Sequence, residues 1–378
     1  METATLSLEA ELATIAENAE PGRTARIAIR HWGWDGRGGA TLEATGREFG
    51  GITRERVRQL CERLAARIRA ANAQSAALAM PISAPAFERA LLQAAGAVPT
   101  TAHDLARRLA DESVAARPFD PEGLLTAARV LRHEAPFRLE TVKDVRVVLP
   151  SPPDPTADTA EVIAVVVEAA RALVRRAGAA RVRDVTGRVA AMLAVWVDDD
   201  LVTAVVSEPE DFVWLERRAG WFYLPSVVKN AVVSRVIKVL SVAGPLDLAD
   251  LHAGIRRDER MKEFVMPEYI LGELCARIPG ITVEDGRVYA REPLRPQDVL
   301  ETTELTLVKI LTEHGGAMER HALEALCMAA GMKASSFNNR IAYSPLITER
   351  GYGRYGLRGN GSGGRPGDLE HFQRPQRR

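Results

Sequence analysis

The sequence predicts a mostly α-helical protein with small β-hairpins, in which a short N-terminal helical domain precedes about four similar domains. Two observations lead to this prediction. Residues 41–64 carry the caps and apolar spacing of two helices joined by a glycine turn. After residue 80, four segments repeat one order of amphipathic helices followed by two alternating strands.

Composition allows several hydrophobic cores, because 46% of the 378 residues are hydrophobic. The formal net charge is zero, but it is unevenly spread. Residues 21–70 hold eleven arginines against five acidic residues, a local net charge of +6. Residues 151–225 hold eight basic against twelve acidic residues, a local net charge of −4. This asymmetry predicts nucleic-acid contact at the basic start of the chain and a different role for its acidic middle.

Several functional classes lack their sequence signals. No apolar run has the length of a membrane span and no signal peptide opens the chain, which predicts a cytoplasmic protein without membrane contact. Cys61, Cys275 and Cys327 are too far apart for metal-ligand spacing and are expected to be buried free thiols. With no phosphate-binding loop and no HExxH motif, we predict no enzyme activity, no cofactor and no metal site.

The first helix pair occupies residues 41–64. Thr41 is placed to cap a first helix whose apolar residues Leu42 and Phe49 face inward. Gly50-Gly51 supplies a sharp turn, and Thr53 is placed to cap a second helix. The arrangement is typical of a helix-turn-helix.

The second helix of this pair has two contrasting faces. Its inward stripe is Ile52, Val57, Leu60 and Leu64, and its outward residues are Arg54, Glu55, Arg58 and Gln59. Arginine pairs with guanine O6 and N7, glutamine pairs with adenine, and glutamate accepts from cytosine N4, so these residues suit the major groove. The alternative is an ordinary amphipathic helix with a solvated, arginine-rich face.

Residues 23–69, RTARIAIRHWGWDGRGGATLEATGREFGGITRERVRQLCERLAARIR, strongly resemble region 4 of the primary (sigma-70 type) bacterial sigma factors. The resemblance includes the lead-in loop His31–Gly36 and the block Thr53–Gln59. It implies recognition of a promoter −35 element and contact with RNA polymerase. It assigns base contacts to Arg54, Glu55 and Gln59, and phosphate contacts or positioning to Arg47, Thr53, Arg56, Arg58 and Arg63.

This segment departs from the family pattern at two points. Gly50-Gly51-Ile52 stands where the family usually has a glycine followed by valine, and Thr45 replaces an expected aliphatic residue. Only about twenty residues, METATLSLEAELATIAENAE, precede the match. We therefore expect the sigma-like recognition domain without the upstream region that melts promoter DNA, and not a complete sigma factor.

The four later segments each end in a predicted hairpin, at 137–150, 212–225, 281–292 and 346–359. Their leading helices are FERALLQAAG, EVIAVVVEAARALVRRAG, AVVSRVIKVLSVAG and ELTLVKILTEHGG, each closed by a predicted glycine C-cap. Three helices and a β-wing in 55 to 75 residues are similar to winged-helix domains of transcription proteins. The predicted divisions are a helical lead 1–20, a helix-turn-helix domain 21–72, winged helices 85–150, 160–226 (acidic), 229–292 and 300–359, and a disordered tail 360–378.

Within the winged helices, the last is the best candidate for a second DNA contact. Its predicted third helix and wing offer Lys333, Ser336, Asn338, Asn339, Arg340 and Arg354. A solvated structural helix is the alternative. In the acidic repeat, Trp196, Trp214 and Trp221 are expected in its core or wing, and Asp198–Asp200 at a charged corner between helix and loop.

Three hypotheses of function follow. The first is a sequence-specific binder of double-stranded DNA, a bacterial transcription regulator. The second is a scaffold that docks RNA polymerase or another protein through the acidic winged helices. The third is the DNA-recognition subunit of a mobile-element or phage-defence complex whose catalytic partner is another chain.

Overall fold

The computed structural model describes residues 6–77, 83–153, 158–261 and 265–359. They are mostly helical, with four small three-stranded antiparallel sheets. The predicted tail 360–378 lies outside the described residues. No helix in these ranges is long and apolar enough to cross a lipid bilayer.

The N-terminal part of the chain consists of four helices. They are α1 (Leu8–Ala19), α2 (Arg23–Trp32), α3 (Leu42–Glu48) and α4 (Arg54–Ala77). Ser7 caps α1 by accepting from the backbone N–H of Ala10, and Gly33 ends α2 in the left-handed conformation, with φ of +72°.

Four repeats follow, each with the order helix, strand, helix, helix, strand, strand. The first contains α5 (Pro85–Ala97), β1 (Thr100–Thr101), α6 (Ala102–Asp111), α7 (Pro121–Leu131), β2 (Phe137–Val142) and β3 (Val145–Pro150). The second contains α8 (Thr159–Ala177), β4 (Ala180–Arg181), α9 (Val182–Leu193), α10 (Asp199–Val206), β5 (Val213–Glu216) and β6 (Trp221–Tyr223).

The third repeat contains α11 (Ala231–Leu240), β7 (Leu246–Asp247), α12 (Leu248–Arg257), a 3₁₀ turn (Glu259–Met261), α13 (Glu268–Arg277), β8 (Ile281–Glu284) and β9 (Arg287–Ala290). After the short α14 (Pro296–Val299), the fourth contains α15 (Thr302–Glu313), β10 (Ala317–Glu319), α16 (Arg320–Ala329), α17 (Ala334–Tyr343), β11 (Ile347–Glu349) and β12 (Arg354–Leu357). In every sheet the last strand is central, between the short first strand and its hairpin partner.

All four predicted hairpins are confirmed by the paired strands. The short first strands were not predicted, because two or three residues carry no period-2 signal. Two of the predicted glycine C-caps are present, since Gly178 (φ +88°) follows α8 and Gly315 (φ +80°) follows α15. The other two were wrong. Gly96 lies inside α5, and α11 already ends at Leu240, four residues before Gly244.

The chain divides into two compact units, residues 1–169 with 186–210, and residues 170–185 with 211–378. The second repeat therefore contributes residues to both. In the first unit, one hydrophobic cluster runs from Leu8 to Val148 and includes α1, the helix-turn-helix segment and the first repeat. These segments thus share one core, while the predicted boundaries at residues 20 and 72 remain predictions.

Polar contacts also join α1 and the helix-turn-helix segment to the first repeat. Glu11, 5% exposed, accepts from the backbone N–H groups of Ala86 (3.0 Å) and Phe87 (2.8 Å) at the start of α5. Thr126 in α7 donates its hydroxyl to the carbonyl of Trp32 at 2.6 Å. These bonds hold the two parts as one body.

The three cysteines and the tryptophans of the second repeat test where the sequence placed residues without an assigned function. The three cysteines are buried and unpaired, and burial raises the pKa of the Cys61 and Cys275 thiols to about 12 each. Trp214 packs edge-on against Phe212, at 4.9 Å between ring centroids, and Trp221 is 6% exposed. The expectation that Trp196 lies in the core or wing of its repeat was wrong, because it lies between α9 and α10 and is 83% exposed.

Candidate nucleic-acid interface

Helices α3 and α4 form with the predicted N-terminal caps. The Thr41 hydroxyl accepts from the N–H of Ala44 at 3.1 Å, and the Thr53 hydroxyl accepts from the N–H of Arg56 at 3.2 Å. Gly50 and Gly51 both adopt left-handed backbone, with φ of +84° and +74°. Both glycines of the turn therefore favour its formation, because residues with a β-carbon rarely adopt this backbone conformation.

Gly46 in α3 packs closely against the turn that leads into α4. A β-carbon at this position would lie 2.2 Å from the carbonyl oxygen of Ile52, the second residue before α4. The N–H of Gly51 donates to the carbonyl of Gly46 at 2.9 Å. The neighbouring Thr45 is fully buried, and its hydroxyl finds no hydrogen-bond partner in the described part of the chain. Close packing of the turn therefore depends on glycine at position 46.

The faces of α4 agree with the prediction. Val57, Leu60 and Leu64 are buried in the core, and Ile52 packs against it while partly exposed. The predicted DNA-contacting residues are on the solvent side and exposed: Arg47, Thr53, Arg54, Glu55, Arg56, Arg58, Gln59 and Arg63.

Within this exposed face, Glu55, Arg58 and Gln59 form one polar network. Arg58 donates to Glu55 at 2.7 Å and to Glu62 at 2.6 Å, and the Gln59 amide donates to Glu55 at 3.1 Å. The hydrogen bonds from Arg58 hold the pKa of the Glu55 carboxyl below its usual range. The carboxylate of Glu55 thus orients the two donors beside it.

Arg54 and Arg56 differ from the other cations of this surface. Among the described residues, no hydrogen bond or ion pair engages either guanidinium. Arg47, in contrast, pairs with Glu43 one turn away, and Arg63 donates to Glu20 at 3.2 Å. The first turn of α4 therefore presents two arginine side chains that need no rearrangement to meet a ligand.

The loop between α2 and α3 fastens this surface to the core. Trp34 is fully buried and lies 4.8 Å from Trp32 between ring centroids. Arg30 donates to the carbonyl of Gly38 at 2.9 Å, and the Nδ1 atom of His31 is 2.8 Å from the carbonyl of Ala40. The aromatic-glycine loop is a structural anchor, and it fixes the position of α3.

The third helices of the first three repeats are engaged in packing. In the first repeat, α7 contacts α2 and α4, and Gly123 meets the carbonyl of Gly33. In the second, α10 contacts β1, and in the third, α13 contacts β5. In α7 only Glu122 and Arg129 remain exposed, so a DNA groove has no open access to this helix. In contrast, α13 keeps an exposed face that includes Glu268, Tyr269 and Glu273.

In the fourth repeat, α17 lines a polar groove of about 920 Å³ together with α11 and the start of α15. Of the predicted second contact set, Ser336, Asn339 and Arg340 lie in this groove. Arg340 is engaged there, because it donates to Glu304 at 3.0 Å and also pairs with Glu301. Asn338 is outside it and accepts from Arg320 at 2.6 Å.

The remaining two members of that set are exposed. Lys333 precedes α17, and Arg354 begins β12 at the wing. The sequence analysis missed Tyr352, which lies fully exposed at the wing tip with φ of +49° between two left-handed glycines, Gly351 and Gly353. The signal was the pattern Arg-Gly-Tyr-Gly-Arg at 350–354, an aromatic residue between glycines and arginines.

Comparisons with known proteins found no match: no protein-family model matches the chain, and no curated protein is significantly similar to it. The described residues also hold no cluster of three or more His, Cys, Asp or Glu side chains that suits a metal ion. The candidate interface therefore rests on its own geometry and on the resemblance of residues 23–69.

Proposed function

We propose that this protein is a sequence-specific DNA-binding protein, a bacterial transcription regulator that places the start of α4 in the major groove. The observation that carries the proposal is the exposed first turn of α4. It presents the unpaired guanidiniums of Arg54 and Arg56 beside the ordered polar network of Glu55, Arg58 and Gln59. These groups supply the donors and acceptors that base edges require.

We also propose that the four repeats are winged-helix domains, on the basis of their common element order and sheet topology. The covered third helix of the first repeat, α7, favours a structural role for that repeat. Since the first repeat shares the core of the helix-turn-helix, it would hold α4 rigidly during DNA contact.

Selection from a randomised pool of duplex DNA at several salt concentrations tests the proposal. We expect the purified protein to enrich one motif, and the Arg54→Ala and Gln59→Ala variants to lose it. A bound pool without any motif, or no binding at modest salt, would contradict sequence-specific recognition. That outcome would favour the scaffold hypothesis, with RNA polymerase as the next partner to test.

Arg63 is expected to contact phosphate, because the resemblance assigns it that role and it is exposed on α4 one helical turn after Gln59. We expect Arg63→Ala to weaken binding to specific and random duplexes by the same factor. The slope of log K against log salt should become shallower by about 0.9, the value for one lost phosphate contact. Fluorescence anisotropy across a salt series measures both quantities. An unchanged slope would show that Arg63 acts only as the partner of Glu20.

A further inference from the structure

The second repeat carries exposed apolar side chains in the last turn of α9 and in the connection from α9 to α10. Trp196 is 83% exposed, Met192 56% and Val195 37%. Within the described part of the chain no hydrogen bond or ring contact holds the indole of Trp196. A single exposed apolar side chain is common on protein surfaces and needs no explanation. A tryptophan grouped with two further exposed apolar side chains is instead typical of an interaction surface.

The backbone presents this patch outward in a defined way. Ala194 ends α9 in the left-handed conformation, with φ of +55°, and its N–H donates to the carbonyl of Ala190 at 2.9 Å. Val197, 4% exposed, then returns the chain to the interior. Residues 195 and 196 therefore project from a turn that is fixed at both ends. A left-handed alanine is uncommon, and such conformations cluster at functional positions.

The charge next to the patch is strongly negative. Residues 191–210 contain five acidic residues and no lysine or arginine. Three of them, Asp198, Asp199 and Asp200, directly follow Val197 and are exposed at the start of α10. One exposed cation, Arg188, lies one helical turn before Met192. The excess of carboxylates repels nucleic-acid phosphates and attracts a cationic partner.

We propose that the Trp196 patch, defined as Met192, Val195, Trp196 and Asp198–Asp200, docks a basic segment of a partner protein. The segment would place a large apolar side chain on the indole of Trp196, with lysine or arginine side chains beside the aspartates. This second site goes beyond DNA recognition by α4 and does not depend on it.

Selection of displayed random 12-residue peptides on the immobilised full-length protein provides the test. We expect enriched peptides that combine Lys or Arg with Leu, Phe or Trp. A synthetic peptide of the enriched sequence, measured by anisotropy, should bind Trp196→Ala about 30-fold more weakly, the size of a hot-spot residue. It should bind Asp200→Asn more weakly as well, and added salt should narrow the difference between Asp200→Asn and the unaltered protein.

Leu92→Ala is the matched control. Leu92 is 73% exposed on α5, in the first repeat, and its replacement should leave peptide affinity unchanged. Circular dichroism establishes that each variant is folded. Enriched peptides that are neutral or acidic, or that bind Trp196→Ala as well as the unaltered protein, would overturn the proposal. A dimer in light scattering that dissociates on Trp196→Ala would also overturn it, because the patch would then serve a second copy of this chain.

Discussion

Replacing Arg54 by alanine is expected to weaken binding to the selected DNA motif by roughly 5–150-fold, while affinity for random duplexes changes much less. A bidentate contact between arginine and guanine contributes about 1–3 kcal/mol of discrimination, and this range of factors corresponds to that energy. Because the Arg54 guanidinium has no ion pair in the described chain, the loss would come from DNA contacts and not from protein stability. Anisotropy with the motif and with each single-base variant measures it.

Arg56 supplies the control for this experiment. It is exposed two residues further along the same helix and also has no ion pair among the described residues, so Arg56→Ala removes an equal charge. The resemblance assigns Arg56 to phosphate, so its loss should weaken all sequences alike. Specificity at one base pair should relax only in Arg54→Ala. Equal losses on the motif and on random DNA for Arg54→Ala would refute base contact by this residue.

Local sequence signals predicted the elements on which the proposed function depends. The caps at Thr41 and Thr53, the apolar stripe of α4 and the four hairpins all depend on residues close together in the chain, and the structure contains them. Their spacing determines which side chains face outward. For the same reason the exposed positions of Arg54 and Gln59 were predictable.

Contacts between distant segments were not predictable. That α7 is covered by α2 and α4 depends on contacts between residues such as Trp32 and Thr126, 94 positions apart, and Asn72 and Leu131, 59 positions apart, for which a single sequence has no signal. Arg340 was expected to face DNA, but Glu301 and Glu304, almost forty residues earlier, engage it. Trp196 was expected in the core or wing of its repeat, and the left-handed turn at Ala194 that exposes it carries no glycine or asparagine signal.

Gly46→Ala is expected to disrupt the helix-turn-helix. The added methyl group would lie 2.2 Å from the carbonyl oxygen of Ile52, and a backbone atom cannot rotate away as a side chain can. Forcing such overlap costs about 1–3 kcal/mol in a packed core. That corresponds to a fall in melting temperature of roughly 2–12 °C for a unit of this size. Since relief requires α3 or the turn to move away from α4, specific DNA binding should be lost together with stability.

Gly96→Ala makes the same chemical change with the opposite expectation. Gly96 is an exposed residue of α5, and a β-carbon there meets no atom within 4 Å. Alanine should therefore stabilise the helix by up to about 1 kcal/mol and leave DNA binding unchanged. Thermal unfolding and fluorescence anisotropy are measured on both variants. The comparison distinguishes the effect of the steric overlap at Gly46 from the effect of replacing any glycine by alanine. If Gly46→Ala melts and binds like the unaltered protein, α3 and α4 do not need the contact between Gly46 and Ile52.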